Sequence, residues 1–189
     1  MNKNDLRVIK TKKIIHESLL ELLKSKPLSK IKVTELCRMA QISRGAFYLH
    51  YEEMNDVLDE IFYETMGDFE SSYNAPFENG FDVRLQNLTP EMIQIFSHVK
   101  SHESFYRLFL HEEMSMKYYY LMYDAICRLI KDSSFSVFGE DHFGNAYSAN
   151  AIIGLIIEWY RNDFEQTVEE MNTYLYNVVK KVNEHFPRA

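Results

Sequence analysis

The stretch TELCRMAQISRGAFYLHY, which runs from Thr34 to Tyr51, decides how the chain is interpreted. Its apolar spacing predicts two short helices: one over residues 36 to 40, with Thr34 as its N-cap, and a second one capped by Ser43. Only Gln41 and Ile42 separate them. A connection this short makes two helices cross steeply, as in a helix-turn-helix whose second helix enters the DNA major groove. Two packed helices of an ordinary helical domain have the same spacing, so spacing alone leaves both interpretations open.

The two predicted helices each have an inward and an outward face. Leu36, Met39 and Ala40 fall on the inward face of the first helix, and Ala46 and Phe47 fall on that of the second. We expect the outward side chains of the second helix to meet another molecule. These residues are Arg44, Gly45, Tyr48 and His50.

Charge is distributed unevenly along the chain. Residues 1 to 50 contain eleven Lys or Arg and four Asp or Glu, a balance of +7, whereas residues 51 to 189 contain ten and twenty-four, a balance of −14. The two balances give the −7 of the whole chain. A basic lobe attracts phosphates whatever the base sequence. The asymmetry therefore favours DNA as the partner of the first lobe, although lysines such as Lys24 and Lys30 can simply solubilise a loop.

Composition favours an all-helical protein. Of the 189 residues, 46% are apolar and 14% aromatic, with only six Gly and four Pro, and apolar residues recur mainly at intervals of three and four. The N-terminus is polar and basic, and no apolar run reaches the roughly 18 residues of a membrane span, so we expect a cytoplasmic protein that does not enter a membrane. Cys37 and Cys127 fall on apolar faces of separate helices, which predicts buried free thiols, with a redox switch as the alternative.

The rest of the chain has the periodicity of further helices. A first helix from about Asp5 to Ser25 ends before Pro27, and a long helix from about Met54 to Tyr73 follows the quoted stretch. Residues 74 to 89, with Pro76 and Asn79-Gly80, are predicted to form a loop. Later helices are predicted from Thr89-Pro90-Glu91 to about Ser101, over residues 105 to 109, 115 to 131 and 146 to 160, and from Thr167 onward.

The last two helices indicate a second subunit. Residues 146 to 160, AYSANAIIGLIIEWY, are apolar nearly all round, so they need cover on more than one side. Gly154 would let another helix approach closely, and Thr167 with Glu170 makes a capping box that starts the final helix. Two such helices from each of two subunits make a four-helix interface, whereas the alternative is that both pack within one subunit. The candidate interface residues are Ala149, Ile153, Gly154, Ile157, Met171, Leu175, Val178 and Val182.

A family pattern matches the opening stretch. AQISRGAFYLHY, from Ala40 to Tyr51, resembles the A-G-V-S-x-G-x-F-Y-x-H-F of the tetracycline-repressor (TetR) family of bacterial transcription regulators, with Thr34 taken as the family's preceding threonine. The segment IIGLIIEWYRNDFEQTVEEM also resembles the C-terminal domain of family members from Gram-positive bacteria. The resemblance is strong over residues 7 to 60 and looser beyond them.

The resemblance implies a homodimer with about nine helices per subunit. A helix-turn-helix domain over residues 1 to 53 would bind a double-stranded DNA operator, and a helical domain over residues 54 to 189 would bind an effector and form the dimer. Arg44 is the best candidate base reader, because a guanidinium can bond guanine bidentately. Position by position, phosphate contacts are expected from Thr34, Ser43, Tyr48 and His50, and base-edge contacts from Arg44, Gly45 and Ala46.

Two positions depart from the family pattern. Gln41 replaces the usual glycine of the turn, which predicts a left-handed backbone at a residue that carries a Cβ. Met54 stands where the family usually has a phosphate-binding lysine, and it follows Glu52 and Glu53. One cation is thus missing and two anions are added near the duplex, so we expect weaker DNA binding than the motif alone suggests.

No sequence pattern predicts catalysis or a cofactor, because the chain has no glycine-rich phosphate loop and no nucleophile elbow. His98 and His102, followed by His111, suggest a metal site, but their spacing crosses a predicted helix end, so surface histidines are the expected alternative. A small apolar or aromatic effector would need an apolar pocket with a few hydroxyls. The candidate lining residues, each of which is also an ordinary core residue, are Phe62, Met66, Phe69, Phe96, Tyr106, Tyr119, Met122, Tyr123, Ile126 and Trp159.

Two functional hypotheses follow. The first is a dimeric, ligand-responsive transcription regulator, in this family most often a repressor, whose ligand changes the angle of the helix over residues 54 to 73. The second is a protein-interaction module of the same fold, which binds DNA weakly or not at all and acts through a partner protein, as co-activator members do. Met54 with Glu52 and Glu53 is the feature that favours the second.

Overall fold

A computed structural model describes residues 6–78, 87–111, 115–132 and 137–185. Within these ranges the chain is helical and has no strand, which confirms the predicted all-α class. Two 3-10 turns, Leu28–Lys30 and Pro90–Met92, accompany the α-helices. The nine described α-helices are α1 (Leu6–Leu23), α2 (Val33–Met39), α3 (Arg44–Tyr48), α4 (Met54–Glu78), α5 (Ile95–Ser101), α6 (Glu103–Phe109), α7 (Met116–Asp132), α8 (His142–Arg161) and α9 (Val168–His185).

The chain forms two compact units, Met1–Glu64 and Thr65–Ala189, which divide inside α4. The functional boundary proposed from the sequence, between residues 53 and 54, lies at the start of the same helix. None of the described helices is both long and apolar enough to cross a membrane.

The core of the first unit joins four helices. Ile15 and Leu19 of α1, Leu36 of α2, Phe47 of α3 and Val57 of α4 are all fully buried. Burial of side chains this large contributes about 1.5–3 kcal/mol each, which is what holds helices as short as α2 and α3 in place.

The core of the second unit is strongly aromatic. Phe96 of α5, Tyr106 of α6 and Trp159 of α8 are almost completely buried. Ala149 and Ile156 of α8 are also fully buried. α5 packs against α6 and α9, and α7 packs against α8.

Several helix boundaries differ from the sequence prediction. α4 continues to Glu78, so residues 74 to 78 are helical although Pro76 removes one N–H from the backbone ladder. A helix of 25 residues tolerates that loss near its end. The helix predicted from Thr89 is interrupted, because Ile93 is extended between the 3-10 turn and α5. Asn79 and Gly80, predicted to lie in the loop, are outside the described residues.

α8 begins earlier than predicted because it has an N-cap that the apolar pattern did not reveal. The carboxylate of Asp141 accepts from the N–H groups of Phe143 and Gly144, both at 3.1 Å.

The final helix begins as predicted. Thr167 N–H donates to Glu170 Oε2 at 2.7 Å and Glu170 N–H donates to Thr167 Oγ1 at 3.2 Å, which is a complete capping box.

Candidate functional site

The turn between α2 and α3 is a Schellman motif. Gln41 has φ of +54°, and its N–H donates to the Arg38 carbonyl at 3.3 Å, while the Ile42 N–H donates to the Cys37 carbonyl at 2.9 Å. Both bonds are those expected when a left-handed residue ends a helix, a position at which glycine is preferred. The predicted left-handed backbone at Gln41 is confirmed.

α2 starts earlier than the sequence predicted. Lys32 is its N-cap, with φ of −98° and ψ of 144°, and makes no side-chain capping bond. Thr34 lies inside the first turn, so its predicted role as the cap is wrong. It is exposed and remains available to a partner.

The inward face of α2 also differs in one residue. Leu36, Cys37 and Ala40 are buried, whereas Met39 is 44% exposed. At 100° per residue, Cys37 and Ala40 lie on one side of Leu36 and Met39 lies on the other, so the core can cover only one of these sides. The prediction that Met39 points inward is therefore wrong.

α3 presents the side chains that the sequence indicated. Ser43 Oγ accepts from the Ala46 N–H at 3.0 Å, which confirms the predicted cap, and Phe47 is fully buried below the helix. The guanidinium carbon of Arg44 lies 5.9 Å from the centre of the Tyr48 ring. Of the proposed contact residues on or next to α3, Ser43, Arg44, Gly45 and Tyr48 are exposed, and Ala46 and His50 are half-buried.

Gly45 has no neighbour inside the chain that requires a glycine. A Cβ built there would meet only Ser43 Oγ at 3.7 Å, an ordinary contact. Glycine costs helix stability relative to alanine, and without a side chain this exposed face of α3 is open to close approach by a partner. Leu49, which the sequence analysis did not single out, is 72% exposed on the same short segment.

A carboxylate of the chain, that of Asp56, lies at the N-terminus of α4. Asp56 Oδ2 accepts from the N–H groups of Glu52 and Glu53, each at 2.8 Å. Helix N-terminal N–H groups otherwise bind anions such as phosphate. The chain therefore lacks the family's lysine at Met54, and the carboxylate of Asp56 is turned towards the residues just before the helix. Asp56 was missed because its role depends on where α4 begins.

Tyr51 joins α4 to α1. Its hydroxyl donates to Glu60 Oε2 at 2.5 Å and lies 2.9 Å from His16 Nε2. Lys12 donates to Glu60 Oε1 at 2.5 Å, and His16 Nδ1 lies 3.2 Å from a Glu64 oxygen. The family pattern has phenylalanine at this position, so the hydroxyl and the network around it were not predicted.

A groove of about 580 Å³ opens beside His50 and this network. Four carboxylates line it, from Asp56, Asp59, Glu60 and Glu64. So many anions make it a poor site for a phosphate. Any DNA contact of this unit is better placed on α2 and α3 than in the groove.

Part of the basic excess is neutralised within the first unit. Lys26 Nζ lies 2.6 Å from both oxygens of Glu35, and its hydrogen bond lowers the pKa of that carboxyl. Lys24 pairs with Glu21 at 2.7 Å. These lysines therefore act as intramolecular partners, which supports the simpler interpretation for Lys24.

The predicted effector residues lie mostly in packed cores. Phe96 and Trp159 contact each other edge to face at 5.6 Å, and Trp159 Nε1 donates to the Gln166 carbonyl at 3.1 Å. Tyr119 donates to Asn150 Oδ1 at 2.6 Å. Of the ten candidate effector residues, Phe62 belongs to the first unit and the other nine belong to the second. Buried are Phe62, Met66, Phe69, Phe96, Tyr106, Met122, Ile126 and Trp159, whereas Tyr119 and Tyr123 are half-buried.

His98 is buried and not on the surface, which overturns the sequence expectation for this residue. It is 3% exposed, and neither ring nitrogen has a hydrogen-bond partner among the described residues. Burial, and then the neighbouring His102, lower the pKa of His98 to about 4. The ring is therefore neutral at pH 7. His111 is exposed, and its proposed neighbours Glu112 and Glu113 lie outside the described residues.

The candidate interface residues divide by burial. Ala149, Ile153, Met171 and Leu175 are already buried within the chain, Gly154 is exposed, and Ile157, Val178 and Val182 are half-buried. The exposed stripe of α8 also contains Phe143, Tyr147 and Ala151. A Cβ at Gly154 would meet no atom within 4 Å. This side of α8 is therefore open over several turns and mainly apolar from Phe143 to Gly154, with exposed Asn150 inside it and exposed Glu158 and Arg161 after it.

Helices of this arrangement, with a short turn before an exposed third helix, define a helix-turn-helix protein. A model for the C-terminal region of TetR-type transcriptional regulators matches residues 86–181. The chain belongs to the TetR family of transcriptional regulators, a family of DNA-binding regulators and not of enzymes.

Individual relatives agree with this assignment. The regulator YxbF of Bacillus subtilis (strain 168), of helix-turn-helix type, is 20% identical over 168 residues, which are 88% of this chain and 44% of that protein. The chain thus spans less than half the length of the curated relative it matches.

Solved structures share the fold. The dihydroxyacetone kinase operon activator DhaS has 18% identity and a TM-score of 0.66 over 93% of this chain and 97% of its own. A TetR/AcrR-family regulator from Aquifex aeolicus VF5 has 20% identity and a TM-score of 0.67 over 91% and 99%. FadR from Bacillus subtilis, solved with stearoyl-CoA, has 14% identity and a TM-score of 0.61 over 88% and 96%.

Proposed function

We propose that this regulator is a repressor that binds a pseudo-palindromic DNA operator as a homodimer, with residues 1 to 53 as its DNA-binding domain. The exposed face of α3 carries the proposal: Arg44, Gly45 and Tyr48 lie on it, while Phe47 is buried beneath it. Arg44 would read a guanine, and Gly45 and Ala46 would lie closest to the base edges. Thr34, Ser43, Tyr48 and His50 would contact phosphates.

A gel-shift titration tests DNA binding. The DNA upstream of the protein's own gene is titrated at about 50 and 200 mM salt, with an unrelated duplex of equal length as the control. We expect a sharp complex with the upstream DNA that weakens as salt rises, because phosphate contacts release counterions. Equal binding of both duplexes would remove the claim of a specific operator.

We place the dimer interface on α8 and α9. The support is the open apolar stripe of α8, centred on Gly154 and continued by Tyr147 and Ala151, with half-buried Ile157 on the same helix and Val178 on α9. Small residues let helices approach closely, and two helices from each subunit would make a four-helix interface.

We also infer a ligand response in the second domain, residues 54 to 189. The effector is taken to be small and largely apolar or aromatic, because the second unit is rich in buried aromatic side chains. FadR of Bacillus subtilis, which has the same fold, was solved with an apolar acyl chain on its ligand, stearoyl-CoA. The ligand would alter operator affinity through α4, the one helix that belongs to both units in the described part of the chain.

One observation favours a second function, a protein-interaction module or co-activator with weak DNA binding. Asp56 binds the N–H groups of Glu52 and Glu53 just before α4, and these three carboxylates put negative charge there. A protein of the same fold, DhaS, is named an operon activator. If the gel shift shows no selective complex at low salt while the protein is folded, this second function replaces the first.

A further inference from the structure

His98 has an unmet hydrogen-bonding capacity inside the second unit. Its Nδ1 and Nε2 are both shielded from solvent and have no partner among the described residues. Buried polar atoms are almost always hydrogen-bonded, because leaving one unpaired is costly. An unpartnered imidazole in a natural core therefore needs an explanation, and a ligand that bonds it is one.

The surroundings of His98 come from three elements and are mainly aromatic. Phe69 of α4 lies 5.2 Å from the His98 ring centre and Tyr106 of α6 lies 5.9 Å from it, both edge to face. His102, at the junction of α5 and α6, stacks on His98 at 4.2 Å. His102 is less buried than His98, so it lies on the solvent side of the cluster.

We propose that His98 is the polar anchor of a ligand site between α4, α5 and α6, and that its ligand is an uncharged, mainly apolar molecule with a hydroxyl group. The proposal rests on the ligand response proposed above and names the chemistry of the ligand. The aromatic rings would pack against the apolar body, and the neutral imidazole would accept from the hydroxyl at one nitrogen and donate at the other.

Two observations select an uncharged donor. Asp68 Oδ2 lies 3.6 Å from His102 Nε2, so a carboxylate stands beside the cluster and disfavours an anionic ligand. The other unpartnered buried side-chain atom among the described residues is Asn172 Oδ1, an acceptor on α9, which packs against α5. The neutral His98 ring has one acceptor and one N–H donor to satisfy, and a hydroxyl group can meet either, which favours a ligand that brings an O–H group.

A matched pair of probes tests this chemistry. 4-Butylphenol and butylbenzene have the same apolar body and differ by one hydroxyl, and their binding to the full chain is measured by calorimetry. We expect the phenol to bind about tenfold more tightly, the size of one buried hydrogen bond. Side-chain nitrogen NMR of histidine should show the His98 signals shifting when the phenol is added.

Variants locate the effect. His98→Phe keeps an aromatic ring without nitrogen atoms, so the preference for the phenol should disappear, whereas His102→Phe, the matched control, should keep it. The circular dichroism of both variants reports whether they are folded, and the NMR shift is measured on the unaltered chain in case His98→Phe does not fold.

Three results would overturn the proposal. They are equal binding of the two probes, an unchanged preference in His98→Phe, or His98 signals that stay constant because a tightly held water satisfies the ring. None of these measurements contains DNA, so they are independent of the proposed regulation. A phenol that binds at His98 but leaves operator affinity unchanged would support the site and count against the ligand response.

Discussion

Two residues show where this chain departs from what is locally favourable. Gln41 holds a left-handed backbone in the turn that aims α3, and His98 is buried without a polar partner. Each carries an energetic cost of about 1 kcal/mol or more. The surrounding helices must compensate for both, and the cost is measurable by substitution.

Replacing Gln41 by glycine should stabilise the protein. Gln41→Gly is expected to raise the free energy of unfolding by about 0.5–1 kcal/mol, because glycine adopts the left-handed conformation without a Cβ clash. Urea denaturation followed by circular dichroism measures the change. Gln41→Ala retains the Cβ and serves as the control, and an equal gain in that variant would show that backbone strain is not the cause.

His98 should make stability depend on pH. Its pKa is about 4 in the folded protein and about 6.5 when unfolded, so the unfolded chain binds the proton more readily. The free energy of unfolding is therefore highest above pH 6.5, where the ring is neutral in both states. It falls by up to about 3 kcal/mol as the pH drops towards 4. Thermal unfolding of the wild type and His98→Phe at pH 7 and pH 4 measures the difference.

The variant should lose this part of the pH dependence and, at pH 7, should be more stable than the wild type by about 1–2 kcal/mol, because the unpaired ring nitrogens are gone. Parallel pH curves for the two proteins would show that His98 does not titrate in this way.

At the level of elements, the exposed face of α3 favours contact with a phosphate backbone, whereas the carboxylates at the start of α4 disfavour it. α3 has an exposed face with Arg44, Gly45 and Tyr48, whereas the carboxylate of Asp56 binds the N–H groups just before α4, those of Glu52 and Glu53. The proposed DNA binding would therefore depend on α2 and α3 more than the family motif implies.

A side chain at Gly45 should separate stability from DNA binding. Gly45→Gln is expected to fold normally, with slightly higher stability, because a Cβ there meets only Ser43 Oγ at 3.7 Å. The added bulk should lower operator affinity at least about tenfold, since it stands between α3 and the base edges. Fluorescence anisotropy with labelled operator measures the affinity.

Gly67→Gln is the matched control, because Gly67 lies on an exposed part of α4 and a Cβ there meets nothing within 4 Å. That variant should gain helix stability and keep its DNA affinity. If Gly45→Gln also keeps its affinity, the face of α3 is not the DNA-reading face.

Restoring the missing cation at the start of α4 should tighten DNA binding. Met54→Lys is expected to raise affinity several-fold and to steepen the plot of log affinity against log salt by about 1, the effect of one added phosphate contact. Gly67→Lys adds the same charge farther along α4 and should change neither quantity. No change with Met54→Lys would mean that DNA does not reach this helix end.

At the scale of the whole molecule, the proposed function would require pairing of two subunits and a separation of charge. The first 50 residues are basic and the remainder acidic, which would direct the first unit towards DNA in the proposed function. The second unit has an open, mainly apolar stripe along α8 from Phe143 to Gly154, and no described part of the chain covers it at Gly154. A second copy would cover it.

A charged side chain at the centre of this stripe should break the dimer. Gly154→Arg is expected to leave the subunit folded, since a Cβ there has open space, but to weaken dimerisation at least about a hundredfold by burying an unpaired charge. Analytical ultracentrifugation measures the monomer–dimer equilibrium. Gly67→Arg controls for the added charge, and a dimer that persists in Gly154→Arg would place the interface elsewhere.

Sequence reasoning determined the features that depend on local chemistry. The helical class follows from apolar periodicity, and the Ser43 cap and the Thr167–Glu170 box follow from hydrogen bonding over three residues. The left-handed Gln41 follows from the family pattern, which has glycine at that position. The family also follows from a local motif. Each of these is set by residues within a few positions of one another, so a linear pattern contains the information.

The tertiary structure decided what depends on packing between distant residues. Burial of His98 needs Phe69 and Tyr106 to close around it, and the Tyr51 hydroxyl has its partners on α1 and α4. The outward position of Met39 depends on which side of α2 the core covers. The role of a polar side chain within an apolar pattern depends on whether that side chain is buried. Burial arises only when the helices pack together, so the sequence pattern does not contain it.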